Sequence, residues 1–393
     1  MSTIIKNNTT VFVIAEATEG TYDPASLGSE AIAPLGDGFE IIPSKESLER
    51  TIMTGSIGVA APRNGMKTGS ATIPVEMRAS TTEGAIPEYN LLAKGALGNS
   101  RAAVTKTSDD TEGGTYSDTV ICFLAADISA YTVGDILHIK RAGAHHVSPI
   151  TAIGTNEVTL LVADPAGAFV DGLVVSAVTT YYPANSGHQS MTVEAWGEGV
   201  RKEYLSGAKV TSMALNNYTT GQLADLSFGL EGAGFDQSIG TLGVTPTYSA
   251  ALPPIVLNAC LYVDGVQMDV NDVSLSLENT LGWITSTCSA NGRISSRVAT
   301  RNISGSFTPY KDGTSVANFD RFDANTSFSL FTYAYNPTGT AGEFNQIVAF
   351  YLPQVLISEY GSADKDGIVQ ESLSFKAHRG NAGDTDEMFF CVI

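Results

Sequence analysis

Between Ser70 and Arg78 the chain alternates. Ala71, Ile73, Val75 and Met77 fall on one side, and Ser70, Thr72, Glu76 and Arg78 on the other. A period of two is that of a strand with one buried face. Pro74 donates no ladder bond and weakens this segment as an interior strand. The alternation returns at Leu226, Phe228 and Leu230, and at Val273, Leu275 and Leu277 against Ser274, Ser276 and Glu278. Val210 to Leu215 and Leu223 to Leu230 form a predicted hairpin. Ile303 to Phe307, Ile347 to Leu352 and Leu373 to Ala377 read as further strands. Two short helices are predicted. One spans Pro87 to Leu97, with Pro near its start, Leu91 and Leu92 on its apolar face and Gly98 at its end. The other covers 316–325, where Phe319 and Phe322 sit three apart.

The patterning occurs twice in the same order. Tyr204-Leu205 precedes Leu226-Ser227-Phe228 at the spacing at which Tyr351-Leu352 precedes Leu373-Ser374-Phe375. Ser47-Leu48-Glu49 with Thr51 matches Ser276-Leu277-Glu278 with Thr280. Each is followed by an Asn-Gly step (Asn64-Gly65, Asn291-Gly292) and a small strand opener (Thr68-Gly69-Ser70, Ser304-Gly305-Ser306). Such self-similarity reads as one domain present twice. The second copy runs 75 residues from its Ser-Leu-Glu to its Tyr-Leu (276 to 351), and the first runs 157 (47 to 204). The excess of 82 falls on 104–187, where short apolar runs (Ile121–Ala125, Ile136–Ile139, Val158–Val162, Leu173–Val178) are separated by turns such as Ala142-Gly143. That is a small all-β module inserted into a loop. The expected organisation is an N-terminal arm (1–36), a first domain (37–103 with 188–231), the inserted module (104–187), a Gly/Pro-rich linker (232–257) and a second domain (258–393). Two Gly/Ser/Thr-rich stretches, 52–66 and 281–301, read as equivalent long loops.

Length and composition fit this reading. The 393 residues allow two to three domains of about 150 residues. The charged fraction is 16%, so much of the surface is Ser, Thr, Asn and Gly. A net charge of −19 excludes a protein that grips nucleic acid through clustered cations, but not one past which nucleic acid slides. Cys122, Cys260, Cys288 and Cys391 are far apart, which indicates neither a zinc site nor a disulfide framework and fits a reducing cytoplasm. No apolar run reaches a membrane span, and the five apolar residues from Val11 to Ala15 are too few for a signal peptide.

No catalytic motif stands out: there is no G-x-S-x-G, Walker A, H-E-x-x-H or Rossmann fingerprint. His145-His146 reads as part of a solvated loop rather than a metal pair. Asp364, Asp366, Gly367 and Glu371 resemble a fragment of a calcium loop, but Asp-Gly is itself a hairpin turn. The corresponding turn in the first copy, Thr219-Thr220-Gly221, lacks the acids. Trp196 and Trp283 read as packing residues. Arg50, Arg63, Arg293, Arg297 and Arg301, in or beside the two long loops, are expected to meet acidic surface on a neighbouring copy rather than nucleic acid.

With these residues in place the chain resembles the tail tube proteins of long-tailed bacteriophages. The order matches: an arm carrying Glu19-Gly20-Thr21, a strand ending in Ser47-Leu48-Glu49, a long loop, a strand with Gly69-Ser70, the helix Pro87-Glu88-Tyr89-Asn90-Leu91-Leu92, and a closing hairpin with Leu226-Ser227-Phe228. The second copy matches through Leu373-Ser374-Phe375. The inserted module departs from the minimal pattern. The resemblance implies a mainly β fold: two tandem β-sandwich, barrel-forming tube domains, each with a short helix. It implies a non-enzymatic virion protein without cofactor or metal, assembled in the host cytoplasm into the tail. Six tube domains form a ring with an inner β-barrel, so three duplicated chains form a pseudo-hexameric ring, and rings stack into a tube. The implied partners are further copies of the chain, the tape measure protein inside the lumen, the tail tip and tail terminator proteins, and DNA that passes without specific binding. There is no membrane partner. The arm and the long loops are expected to contact the next ring, through Gly55, Arg63, Asn64, Gly65, Trp283, Asn291, Gly292 and Arg297. The alternatives are a β-rich adhesin or carbohydrate-binding module, which needs exposed aromatics on one face, and a hydrolase with a carboxylate pair.

Overall fold

The computed structural model describes residues 5–53, 57–141, 144–257, 259–289, 291–311, 316–336, 346–380 and 385–393. Gly55 and the Ala142-Gly143 turn lie outside the described residues. The chain begins with β1 (Thr9–Ala15), β2 (Ala31–Ile32), β3 (Glu40–Arg50), β4 (Ala60–Glu76), α1 (Asn90–Leu97) and β5 (Gly98–Ala103). A separate six-stranded sheet follows: β6 (Lys106–Thr107), β7 (Val120–Cys122), β8 (Ile136–Arg141), β9 (Ala144–Ile153), β10 (Glu157–Leu160) and β11 (Val174–Val175), with α2 (Ala125–Ile128) after β7. The chain then returns to the main sheet as β12 (Val178–Pro183), β13 (Met191–Gly197), β14 (Arg201–Asn216), β15 (Asp225–Gly232) and β16 (Gly234–Ile239). The second half contains β17 (Ala259–Val263), β18 (Val266–Met268), β19 (Val270–Thr285), β20 (Arg293–Pro309), α3 (Ala317–Asp323), β21 (Phe328–Ala334), β22 (Val348–Lys365), β23 (Ile368–Ala377) and β24 (Phe389–Val392).

The pairing repeats. The first half joins β1–β13–β14–β15–β4–β3, with β2 on β1 and β16 on β14. The second joins β17–β21–β22–β23–β20–β19, with β18 on β17 and β24 on β22. Helices α1 and α3 lie on β14 and β22. Bulges fix the correspondence. One follows Val210 in β14 and one follows Ile357 in β22, which aligns Ser212 with Glu359 and Gly229 with Ser374. Tyr204-Leu205 therefore does correspond to Tyr351-Leu352. Phe228 corresponds to Leu373 rather than Phe375, a slip of two that keeps every side chain on its face. Ile41, reached through Leu230 and Ala71, corresponds to Leu275, reached through Phe375 and Gly305. Ser276 thus matches Ile42, not Ser47.

The two halves share one sheet. The distal part of β14 pairs β15 on one side and β19 on the other, with Ser212, Met213, Ala214 and Leu215 opposite Glu278, Leu277, Ser276 and Leu275. The result is eight strands in the order β3-β4-β15-β14-β19-β20-β23-β22. Its covered face carries Ile73, Val75, Met213, Leu215, Phe228, Leu275, Leu277, Ile303, Phe307, Leu373 and Phe375 in one core with α1. Gly305 is required at its position: a Cβ there would lie 2.2 Å from the Ser274 carbonyl oxygen and 2.6 Å from the Phe375 ring.

Local chemistry explains the element ends. Gly98 adopts φ +107° and returns its N–H to Lys94, closing α1. Asp366 and Gly367 (φ +54° and +83°) form the two-residue turn between β22 and β23. Pro74 lies beyond the last β3 partner, where no ladder donor is needed on that side.

Several segments differ from their sequence reading. The expected arm contains β1, whose seven residues pair β13 and whose Val11, Phe12, Val13 and Ile14 are buried. Residues 178–183, placed in the inserted module, pair β5 and β24 in the main sheet. The start of the linker is β16. The inserted sheet shares a core with the second half, including Phe331, Ile347, Ala349, Tyr351, Phe389 and Cys391. It bridges the two copies.

Candidate assembly surface

Among the described residues the eight-stranded sheet ends in two edges with no partner strand, β3 and the distal part of β22. The face opposite the core is, among the described residues, largely uncovered, Pro74 beside Gly38 and Asp225 being buried exceptions. Across it run Pro74, Ser227, Ala214, Ser276, Ser304 and Lys376 in one row, and Ser274, Ser306, Ser374 and Glu359 in another. Glu40, Glu278 and Glu359 are exposed on this face, with Lys376 as a lone cation in these rows. Small hydroxyl side chains alternate with the apolar core residues because each strand has one face in water.

The two long loops are hairpin ribbons rather than loops. Arg63, Asn64 and Gly65 lie within β4, where Arg63 pairs Leu48 and Asn64 pairs Ser47. Trp283 lies in β19 opposite Ser296, and Arg297 lies in β20 opposite Gly282. Only Asn291 and Gly292 of the second set fall in the turn. Residues of the β3–β4 ribbon beyond the sheet meet solvent on both faces, so their polar, Gly-rich composition mimics a loop.

The ribbons behave differently. The β3–β4 ribbon is exposed along its length, and its end presents Met53 (98% exposed), Ile57 (108%) and Val59 (86%). The β19–β20 ribbon leans on the first half. Gly292 packs on Met66, and Arg293 pairs with Glu231 at 2.9 Å and stacks 4.1 Å over the Trp283 ring. Arg301 donates to the Ala184 carbonyl, so the arginines expected to meet acidic surface on a neighbouring copy are not all free. Glu19 accepts from the buried Lys209 at 3.0 Å and from the Ser296 backbone. The Glu19-Gly20-Thr21 step therefore anchors inside the chain, against the second-half ribbon. Glu16 supports it, accepting from Gly20, Thr192 and Gly207. Nearby, Glu194 accepts from Tyr22 and Trp196, and burial together with that carboxylate raises the Tyr22 hydroxyl well above its ordinary range.

The candidates for chemistry resolve into structure. His145 and His146 lie on β9, not in a solvated loop. His146 is buried against the Val162 carbonyl at 3.1 Å, and His138 joins Ser176 (2.9 Å) to His145 (3.0 Å). Burial lowers the His138 pKa to about 3, with His145 adding to the effect. Carboxylates of Asp109, Asp110 and Asp171 approach within 4.8 Å at the surface of the insert, a feature the sequence reading passed over. Asp364 accepts from Gly367 within the β22–β23 turn.

A family profile described as phage tail tube protein matches residues 6–377. The chain belongs to the phage tail tube protein family. No curated protein matches it. The tail tube assignment makes this a structural component of the phage tail that assembles with other tail components. In a tail tube protein the two unpartnered sheet edges and the exposed ribbon become the surfaces of interest, ahead of any pocket.

Proposed function

We propose that three chains close into a pseudo-hexameric ring and that rings stack into a tube conducting DNA. The observation that carries this is the β14–β19 junction: one tube-like half already adds its sheet to the next, leaving an equivalent donor edge (β22) and acceptor edge (β3) at the two ends. Repeating that junction between chains removes both edges, which otherwise invite misassociation. Three sheets make twenty-four strands, spaced about 4.8 Å apart and tilted about 40°, and close at a backbone diameter of about 50 Å. The hydroxyl- and glutamate-bearing face becomes the lumen wall, giving DNA no cationic grip. On this reading the halves are tube domains, and the six ring positions alternate in kind. The insert decorates the outside of the ring. The exposed β3–β4 ribbon, with Arg63, Asn64 and Gly65, reaches the next ring, while Trp283, Asn291, Gly292 and Arg297 contribute from the second ribbon. The tape measure protein fills the lumen during assembly in the host cytoplasm, and the tail tip and terminator proteins close the ends. The family match does not favour the β-rich adhesin reading. Native mass spectrometry with electron microscopy of the purified protein tests the proposal: trimers, or hollow tubes built of them, are expected, and monomers alone at all concentrations and salt conditions count against it.

A further inference from the structure

The junction inside the chain has an unfilled counterpart on its own surface, and comparing the two gives the residue-level contact. At the inner junction, α1 is covered: Leu92, Ala93, Gly95, Ala96 and Leu97 are buried. Asn279 of β19 reaches it from across the junction, donating to the Ala96 carbonyl at 2.8 Å and the Val210 carbonyl at 3.3 Å. At the outer edge α3 has no buried residue, although Phe319 and Phe322 pack on Tyr360 of β22. Phe319 remains 45% exposed and Phe322 38%. The matching strand β3 is likewise exposed, with Ile42 and Leu48 each 47% accessible. The bulge-based correspondence sets Ser212, Met213, Ala214 and Leu215 equal to Glu359, Tyr360, Gly361 and Ser362. It sets Leu275 to Asn279 equal to Ile41 to Lys45.

We propose that the β22 edge and α3 of one chain receive the β3 edge of a second copy in a single register, with Ser44 opposite Glu359, Pro43 opposite Tyr360, Ile42 opposite Gly361 and Ile41 opposite Ser362. Lys45 stands where Asn279 stands and points at the C-terminal turn of α3. That turn is built to accept it. Its last carbonyls carry the negative end of the helix dipole and Asp323 is exposed beside them, while Arg321 of the same turn is already paired with Asp264 at 3.0 Å. The inner junction uses a neutral amide and the outer one an ammonium, so the two are not interchangeable. This is how a chain avoids pairing its own β19 with a foreign β22. Pro43, Lys45, Glu46, Glu49 and Arg50 along β3 also discourage pairing with arbitrary strands. The inference rests on the ring reading and adds its register and its charged contact.

The test is site-directed disulfide formation in the Cys288→Ser background, which removes the exposed native thiol. Directly opposed residues of antiparallel strands have Cα atoms about 4.5–5.5 Å apart, within disulfide reach. Ser44→Cys with Glu359→Cys is expected to give covalent trimers on mild oxidation. Ser44→Cys with Gly361→Cys, a two-residue slip, is expected to give less than a tenth as much. Lys45→Glu is expected to weaken ring formation about tenfold by native mass spectrometry, and Asp323→Lys in the same chain to restore it. Intact rings that cross-link only in the slipped pair, or not at all, overturn the register and leave the ring standing. Rings unaffected by Lys45→Glu overturn the Lys45 contact. Absence of rings from the Cys288→Ser parent overturns both the register and the ring.

Discussion

Asn279 is the side chain through which the two halves hold each other, and its removal gives a calculable loss. It is 5% exposed and donates to two backbone carbonyls, one at the end of α1 and one in β14. Each such bond contributes about 1 kcal/mol net, and a buried carbonyl left without a donor costs about 1–3 kcal/mol. The Asn279 Oδ1 has no partner, so its removal returns part of that cost. Asn279→Ala is therefore expected to destabilise by about 2 kcal/mol. For cooperative units between one half and the whole chain, this is a fall in calorimetric midpoint of about 2–5 °C. Asn279→Asp, which sets a carboxylate against the same two carbonyls, falls further. Ser274→Ala, which loses two exposed contacts, to the Ser306 hydroxyl at 2.8 Å and to its N–H at 3.1 Å, changes stability by less than about 1 kcal/mol. The measurement is differential scanning calorimetry at a protein concentration where the chain is monomeric. An Asn279→Ala midpoint equal to that of Ser274→Ala refutes the claim that this contact ties the halves together.

Gly305→Ala forces a methyl into the Ser274 carbonyl and the Phe375 ring and is expected to cost about 3 kcal/mol, read as a lower melting temperature or loss of soluble protein. Glu19→Ala leaves the buried Lys209 ammonium with the Ser296 carbonyl but no counter-charge; a loss of about 2 kcal/mol and faster proteolysis of the first thirty residues are expected, with Glu19→Asp intermediate. His138 stays neutral when folded, its pKa lowered to about 3, while the unfolded chain takes up a proton near pH 6.5. Stability therefore falls as pH drops below about 6.5, by about 1.4 kcal/mol per unit from this residue, and His138→Gln flattens the melting temperature between pH 6 and 5. Replacing Met53, Ile57 and Val59 with Ser leaves ring formation intact but abolishes tubes, scored by negative-stain microscopy.

Much of this was readable in the chain, for physical reasons. Gly98 ends α1 because only glycine easily takes φ +107° there, whereas Pro87, predicted at the helix start, lies in the turn before it and accepts from the Asn90 N–H. Asp366-Gly367 gave its turn for the same kind of reason. Period-two alternation located the strands of the shared sheet, since one face is core and the other water. What did not show was pairing. β1 hides in a segment rich in Gly and Pro, because a strand's neighbours are distant in sequence. The β3–β4 ribbon read as a loop because neither of its faces is buried, and the β19–β20 ribbon because its contacts to the first half are made by polar residues and glycine. His146 is buried by packing across the inserted sheet, which local sequence does not encode. Of the sequence echoes, Tyr204-Leu205 with Tyr351-Leu352 keeps its register. Leu226-Ser227-Phe228 slips by two, and Ser47-Leu48-Glu49 is mismatched altogether. Alternating strands resemble themselves at every second residue, so only the bulges fix the true alignment. The proline and charges along β3 (Pro43, Lys45, Glu46, Glu49, Arg50) are those of an edge strand, but the open edge of β22 is set by what lies beside it in the fold.

The most direct test of the ring is a cryo-electron microscopy reconstruction of assembled tubes, refined without imposed sixfold symmetry. The account predicts three chains per ring, an inner wall that looks sixfold at the backbone, and three inserted sheets projecting outward at every second position. Six chains per ring, or an inner wall in which β22 and β3 of neighbouring chains do not pair, would contradict it.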